Sequence, residues 1–297
     1  MFTFKNMSML KHPERNYLDL VKHTLWNGER EVRRNGVVYT HIGGALRFDL
    51  SGKTVPVMTT KKLAVTSCLK ELLWFISGET DNKILKKQGV KIWNKNASKE
   101  FLEGRGLRYE EDDLGPVYGH QWRYFNAPYY NCKFNYKGNG VDQLNMVIKK
   151  LQDDTSSRRI LMSAWNPCQL NEMALPPCHV LSQYHVTNGN QLTCTMYQRS
   201  ADLGLGLPFN MASYGYLTHL LAHHCGLEAS ELIIFIGNCH VYEEHKEALE
   251  IQLERVPYLF PKLEIERFRD NIEDYKFEDF HLINYDHYDK INMEMRA

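Results

Sequence analysis

Cys178 closes the run Met173-Ala174-Leu175-Pro176-Pro177 and is followed by His179. Two prolines stiffen the approach to a thiol at the start of a strand-like stretch. Most free cysteines are small buried hydrophobes, and Cys178 taken alone fits that reading too. A turn signal adds weight to a nucleophile. Cys178 to Val186 and Leu192 to Arg199 both read as strands, with Thr187-Asn188-Gly189-Asn190 between them. Asn-Gly is the strongest two-residue hairpin signal, because both positions need positive φ. With Asn188 and Gly189 as the turn, Thr187 faces Asn190 and Cys178 faces Arg199, barring a bulge. A guanidinium beside a thiol favours the thiolate, so Cys178 is expected to ionise near neutrality. His179 is next along the strand, points to the other face, and is a poor base for that thiol.

Other residues suggest anion binding and proton transfer. Arg158 and Arg159 follow Ser156-Ser157, Arg199 precedes Ser200, and Arg33-Arg34 lie before a strand. Arginine beside a hydroxyl suits a phosphate, whose oxygens match the guanidinium fork, although surface salt bridges use the same residues. Glu71 lies in the apolar helical stretch Cys68-Leu69-Lys70-Glu71-Leu72-Leu73-Trp74-Phe75. Burial would raise its pKa toward the range of a proton shuttle, and a structural carboxylate fits the pattern equally. Asp202-Leu203-Gly204-Leu205-Gly206-Leu207-Pro208-Phe209-Asn210 reads as a loop entering a helix, without dinucleotide spacing. Asn210 is expected in the first helical turn, where its amide caps the helix or reads a ligand edge. His219 and His223 are four apart, and His240 and His245 five apart. There is no HExxH and no zinc-type cysteine spacing, so no metal is expected.

These groups need a scaffold. Asn16 to Trp26 reads as a helix, Val37 to Leu50 as one or two strands, and Lys62 to Ser77 as a helix stopped by Gly78. Asp142 is placed to cap a helix carrying Leu144, Val147, Ile148 and Leu151 on one face. Pro208 suits the first turn of a helix running to Gly226, and Leu232 to Ile236 reads as a buried strand. Asn94 to Asp113 is expected to be a solvated insertion. Mixed helices and strands without a linker predict one α/β or α+β domain over residues 1–297.

Composition excludes several classes. Lys plus Arg and Asp plus Glu both number 36 among 297 residues, so no general polyanion binder is expected. No apolar run approaches the roughly 18 residues of a membrane span, and the start shows no signal-peptide core. The seven cysteines, Cys68, Cys132, Cys168, Cys178, Cys194, Cys225 and Cys239, form no CxxC. A disulfide framework is not expected, and a reducing cytoplasm or nucleus is the default.

Together the motifs resemble the thymidylate synthase family over nearly the whole chain. The matching stretches are Glu71-Leu72-Leu73-Trp74-Phe75, Ile92-Trp93, Asp113-Leu114-Gly115-Pro116-Val117-Tyr118-Gly119, Ser157-Arg158-Arg159 and Ala174-Leu175-Pro176-Pro177-Cys178-His179. Tyr197-Gln198-Arg199-Ser200, Leu205-Gly206-Leu207-Pro208-Phe209-Asn210 and His240-Val241-Tyr242 complete the set, in the family's order and spacing. The insertion after Trp93 looks like the eukaryotic form.

The resemblance implies a single α+β domain around a large mixed sheet flanked by helices, dimerising through the sheet. It implies reductive methylation of dUMP by 5,10-methylenetetrahydrofolate, without a metal. In that scheme Cys178 is the nucleophile, Glu71 moves protons through water and Tyr118 assists at C5. Arg33, Arg199 and Ser200 hold the phosphate, with Arg158 and Arg159 of the other subunit. Asn210 pairs with the pyrimidine, His240 and Tyr242 hold the sugar hydroxyl, and Gln198 and His179 support the nucleotide. Lys61, Ile92, Trp93, Leu175, Asp202, Leu205, Gly206, Phe209 and the C-terminal Ala297 line the folate site, with Asp202 shared between both ligands.

Asn210 also separates relatives. Cytosine presents an acceptor at N3 and a donor at N4, which suits a carboxyl group, so an amide favours uracil. The family loop near Arg33 is altered, leaving Arg34 as the other phosphate candidate. Asn94 and Asn238 stand where Asp is usual, and Arg296 where a small apolar residue is usual. A pyrimidine hydroxymethylase of the same superfamily is therefore the alternative. A non-catalytic nucleotide- or RNA-binding relative and a cysteine hydrolase are more distant.

Overall fold

Residues 12–33 and 35–296 are described by a computed structural model. Helix α1 (Glu14–Asn27) turns Tyr17, Leu18, Val21 and Leu25 inward at helical spacing. Strands β1 (Glu29–Arg33) and β2 (Gly36–Asp49) make a tight hairpin in which Arg33 faces Gly36. Helix α2 (Val65–Ile76) begins three residues later than Lys62 and stops before Gly78, whose φ of 76° is the left-handed stop signal. Short helices α3 (Asn82–Lys87), α4 (Lys99–Gly104) and α5 (Tyr118–Tyr124) lead to α6 (Gln143–Asp153). Asp142 caps α6 by accepting from the Asn145 N–H at 3.0 Å, and the four expected apolar residues of α6 are buried.

The second half supplies the centre of the sheet. It comprises β3 (Leu161–Ser163), β4 (His179–Thr187), β5 (Gln191–Asp202), α7 (Gly206–His224) and β6 (Glu228–Tyr242). Helix α8 (Lys246–Leu253) and strands β7 (Lys262–Ile265) and β8 (Phe280–Ile283) follow. The sheet order is β1-β2-β6-β5-β4-β3, with β5 and β6 parallel and the other neighbours antiparallel. Strands β7 and β8 pair separately. The expected α+β class with a mixed sheet is what the chain adopts.

Helix α7 crosses from β5 to β6 and packs on both and on α2, so it is apolar on nearly every side. Tyr184, Leu192, Cys194, Met196, Leu232 and Ile234 point into this layer and are buried. Alternation sends Leu161, Tyr197 and Phe235 to the other face, where they remain 41–47% exposed.

Three expectations need correction. Asn188 and Gly189 do take positive φ, 49° and 86°, but Thr187 pairs with Gln191, so Asn190 joins the loop. That offset alone would carry Cys178 past Arg199. A bulge at Val180, between His179 and Leu181, restores the register, and His179 faces Gln198. The insertion from Asn94 to Asp113 is not simply solvated. It contains α4, buries Leu102 and Leu107, and buries Asp112 and Asp113. Asp112 accepts from Asn82 Nδ2 at 2.8 Å, and Asp113 from the Tyr129 hydroxyl at 2.6 Å, which explains how two carboxylates tolerate that position. Finally, α7 begins at Gly206, so Asn210 is its fifth residue and lies beyond the first turn.

Glu14 ties α1 to the segment that enters the site. Its buried carboxylate accepts from the Thr59 N–H and Oγ1 at 3.0 and 2.6 Å and from the Thr60 N–H and Oγ1 at 2.9 and 2.5 Å. Glu14→Ala strands these donors and is expected to lower stability by about 3 kcal/mol in urea denaturation. An unchanged midpoint would mean that burying the carboxylate costs as much as its bonds return.

Candidate active site

The thiol and guanidinium meet at the mouth of the β4–β5 pair. The Arg199 N–H donates to the Cys178 carbonyl at 2.9 Å. The Arg199 side chain folds back over the proline turn: Nε donates to Pro177 O at 2.8 Å and Nη2 to Pro176 O at 3.0 Å. Nη2 lies 3.7 Å from Cys178 Sγ, and the guanidinium sits 5.6 Å from the Trp165 ring centre. The two carbonyls explain the prolines: a rigid turn presents both oxygens to one fork. One expectation fails. Burial pushes the Cys178 thiol above its ordinary range, and the Arg199 charge only partly opposes it.

Tyr118, the first residue of α5, accepts from the Cys178 N–H at 2.8 Å. Its ring stacks on His179 at 3.9 Å with a 9° tilt, and His179 Nδ1 pairs with the Tyr214 hydroxyl at 3.0 Å. Burial lowers the His179 pKa to about 3, so this imidazole is neutral and packs inward. His179 thus packs against Tyr118 and bonds Tyr214. Glu71 is buried on α2, and Trp93 Nε1 donates to its Oε1 at 2.7 Å. Burial raises the Glu71 pKa to about 7, with the Trp93 bond opposing. Such a carboxyl exchanges protons near neutrality.

An open cleft of about 460 Å³ adjoins Arg199 and is lined by Arg33, Asn35, Val38, Thr40, Ser200, Asn238, His240 and Tyr242. The register explains the convergence: Ser200 pairs with Asn238, Asp202 with His240, and Thr40 with His240. His240 Nδ1 bonds Asn238 Oδ1 at 3.1 Å. Arg33 is exposed, and its guanidinium pairs with Glu31 at 2.7 Å. Arg34 lies outside the described residues. Gln198 Nε2 donates to Asn210 Oδ1 at 3.0 Å and to Ser200 O at 3.1 Å, which orients the Asn210 amide. Gln198 Oε1 is buried without a partner among the described residues. Arg158 and Arg159 are exposed in the loop before β3, the sheet's far edge strand, and do not line this cleft.

The loop from Asp202 to Gly206 forms another wall. Asp202 Oδ1 accepts from the Gly204 N–H at 2.8 Å, and buried Lys61 Nζ donates to the Gly204 carbonyl. Burial lowers the Lys61 pKa to about 8, while Asp202 and Glu14 oppose. Ile92, Leu175 and Phe209 pack half-buried on the core, Trp93 is buried, and Leu205 precedes the first residue of α7, Gly206. Ala297 lies outside the described residues. His219, His223 and His245 bond the carbonyls of Thr54, Arg267 and Glu294, so these histidines have structural partners.

Sequence reasoning missed Val38, Thr40, Trp165 and Tyr214. Their signal is the strand pairing and a long-range ring contact, neither of which has a local signature. The charge relation at Cys178 has a direct readout. Alkylation of the ligand-free thiol should follow a titration midpoint above that of a free cysteine, and Arg199→Gln should move it higher. An unmoved midpoint would show that the guanidinium does not act on the thiol.

Known proteins resemble this chain over nearly its whole length. The family model described as "Thymidylate synthase" matches residues 15–297. "Thymidylate synthase 1/2" of Encephalitozoon cuniculi is 49% identical over 290 residues, covering 97% of this chain and 98% of that protein. "Thymidylate synthase" of Agaricus bisporus is 49% identical over 293 residues, covering 96% and 99%. The "Bifunctional dihydrofolate reductase-thymidylate synthase" of Plasmodium berghei is 46% identical over 296 residues, covering 99% of this chain but 50% of that protein. The chain therefore spans about half of that two-function relative and nearly all of the others. With a match over nearly its full length, the chain belongs to the thymidylate synthase family.

Proposed function

We propose that this chain, a methyltransferase of that family, converts dUMP to dTMP with 5,10-methylenetetrahydrofolate, acting over residues 1–297 as one catalytic domain. The observation that carries the reading is the Arg199 fork, bonded to Pro176 and Pro177 with Nη2 3.7 Å from Cys178 Sγ, beside the Arg33–Tyr242 cleft. A nucleophile and phosphate-type ligands then share one nucleotide. When the phosphate binds, Arg33 exchanges Glu31 for it, and Arg199 and Ser200 complete the grip. His240 and Tyr242 take the sugar hydroxyl, with Gln198 and His179 supporting. Asn210 Oδ1 keeps a lone pair for the pyrimidine N3–H, and its Nδ2 donates to O4.

Cys178 adds to the ring carbon next to C5, which makes C5 nucleophilic toward the one-carbon unit. The folate supplies first that carbon and then the hydride. Glu71 relays protons through water, and Tyr118 assists removal of the C5 proton. The half-buried apolar Ile92, Leu175 and Phe209, with Trp93, Leu205 and Gly206, suit a flat ring. Lys61, Asp202 and Ala297 supply its polar border. Gln198 Oε1, without a partner among the described residues, favours a ligand with a donor at its edge. No metal enters this scheme. The hydroxymethylase alternative is not favoured, because the matching family and the named relatives are thymidylate synthases. The Asn210 amide weighs separately against cytosine as the ring.

The functional unit is a homodimer packed through the open sheet face, with Arg158 and Arg159 reaching the partner's phosphate. The exposed apolar Leu161, Tyr197 and Phe235 on one sheet face support this. A cytoplasmic or nuclear setting fits seven free cysteines. Among the described residues no helix is long and apolar enough to cross a membrane.

Two measurements test the reading. Protein, dUMP and methylenetetrahydrofolate should yield dihydrofolate and a nucleotide heavier by one methylene unit, and Cys178→Ala should abolish both. A product heavier by a hydroxymethyl group would replace this reading with its alternative. Inactive Arg159→Ala and Cys178→Ala chains, mixed with subunit exchange verified, should recover up to about one quarter of normal activity through hybrid dimers. No recovery would confine each site to a single chain.

A further inference from the structure

The C-terminal segment is fastened at three points to the loops that frame the cleft. The Met293 sulfur lies against Gly204, where an added Cβ would approach it to 3.2 Å and His245 Nδ1 to 2.9 Å. His245 Nε2 bonds the Glu294 carbonyl at 2.8 Å. Arg296 then forks onto Glu244, with Nε on one carboxylate oxygen and Nη2 on the other. The first two fastenings are partly or wholly buried, whereas the Arg296 and Glu244 side chains stay 35% and 39% exposed. The neighbouring titratable groups include Glu294, 3.9 Å from Arg296, His245, 3.8 Å from Glu244, and Tyr242, which also feels the Arg296 charge.

The placement joins both sides of the site. Gly204 is also held by Asp202 and Lys61, and Glu244 and His245 follow Tyr242 along the chain. The His245 ring meets the Tyr242 ring at 5.5 Å. Any force that holds residues 293–296 down therefore holds the Gly204 loop in place beside Tyr242.

We infer that Glu244 is a positioning residue for the folate-side wall, acting through Arg296 as a charge clasp on the C-terminal strap. The clasp adds a salt-sensitive hold to a buried anchor that salt does not screen. Because the contact is bidentate, a lysine at position 296 keeps the charge and loses the fork.

The folate part rests on the function proposed above, and the strap part does not. Hydrogen exchange of residues 293–296 in the ligand-free full chain reads the strap alone. Glu244→Gln should speed that exchange about threefold, and the charge-reversed pair Glu244→Arg with Arg296→Glu should restore it. Raising NaCl from about 0.1 M to about 1 M should speed exchange in the parent chain and leave Glu244→Gln unaffected, as the screening length falls from about 10 Å to about 3 Å. In turnover, Glu244→Gln should raise KM for methylenetetrahydrofolate about threefold while kcat and KM for dUMP hold. Unchanged exchange in Glu244→Gln, or no rescue by charge reversal, overturns the clasp. Faster exchange with an unmoved folate KM overturns the positioning role. Faster exchange in a protein that does not methylate dUMP keeps the clasp and removes the function instead.

Discussion

The site depends on one backbone contact, the Arg199 N–H donating to the Cys178 carbonyl. It sets where the thiol leaves the sheet and where the guanidinium turns back over the prolines. The bulge at Val180 makes it possible by absorbing the extra residue of the Asn188–Asn190 loop. From this point the register runs outward: Ser200 beside Asn238, Asp202 beside His240, and Thr40 across from His240. A slip of one residue would turn the inward side chains of β5 to the opposite face.

Burial sets the second constraint, and it acts in one direction. Glu71 rises to about 7, the Cys178 thiol rises, His179 falls to about 3 and Lys61 falls to about 8. Each shift favours the uncharged form, as expected where water is scarce. Arg199 is the opposing fixed charge at the thiol, and the Trp93 N–H opposes at Glu71. At the thiol the guanidinium 3.7 Å away offsets only part of the effect of burial. The stacked rings of His179 and Tyr118 form a wall beside Cys178, with Tyr214 holding the imidazole.

The same strands serve two surfaces because side chains alternate along them. On β5, Met196 and Gln198 face inward while Tyr197 faces the open side, where it pairs laterally with Phe235. Site and open face are therefore mechanically continuous across a single layer of backbone. The loops at the ends of β5 and β6 complete the enclosure, with Gly204 small enough to let Met293 and His245 approach together. An added Cβ would force His245 Nδ1, 2.9 Å away, to shift and would press on the Met293 sulfur at 3.2 Å.

Much of this was legible along the chain, because the deciding signals are local. The Asp142 cap, the Gly78 stop, the apolar faces of α2 and α6 and the positive φ of Asn188 and Gly189 each follow from a few neighbouring residues. The motif around Cys178, the apolar setting of Glu71 and the amide at Asn210 are each readable from neighbouring residues, while their grouping into one site is what the family resemblance implies. What sequence left open was set by contacts between distant segments. Hairpin counting reached the Cys178–Arg199 pairing through two offsets that cancel, and only the three-dimensional register reveals both. The resting state of Cys178 could not be read locally, since a neighbouring charge is visible in sequence and the depth of burial is not. Asp112 and Asp113 looked solvated because their partners, Asn82 and Tyr129, lie elsewhere in the chain. Sequence determined the elements and the chemistry available, because propensity and residue type are local properties. Tertiary structure decided ionisation, register and which side chains converge, because those depend on burial and on segments far apart in the chain.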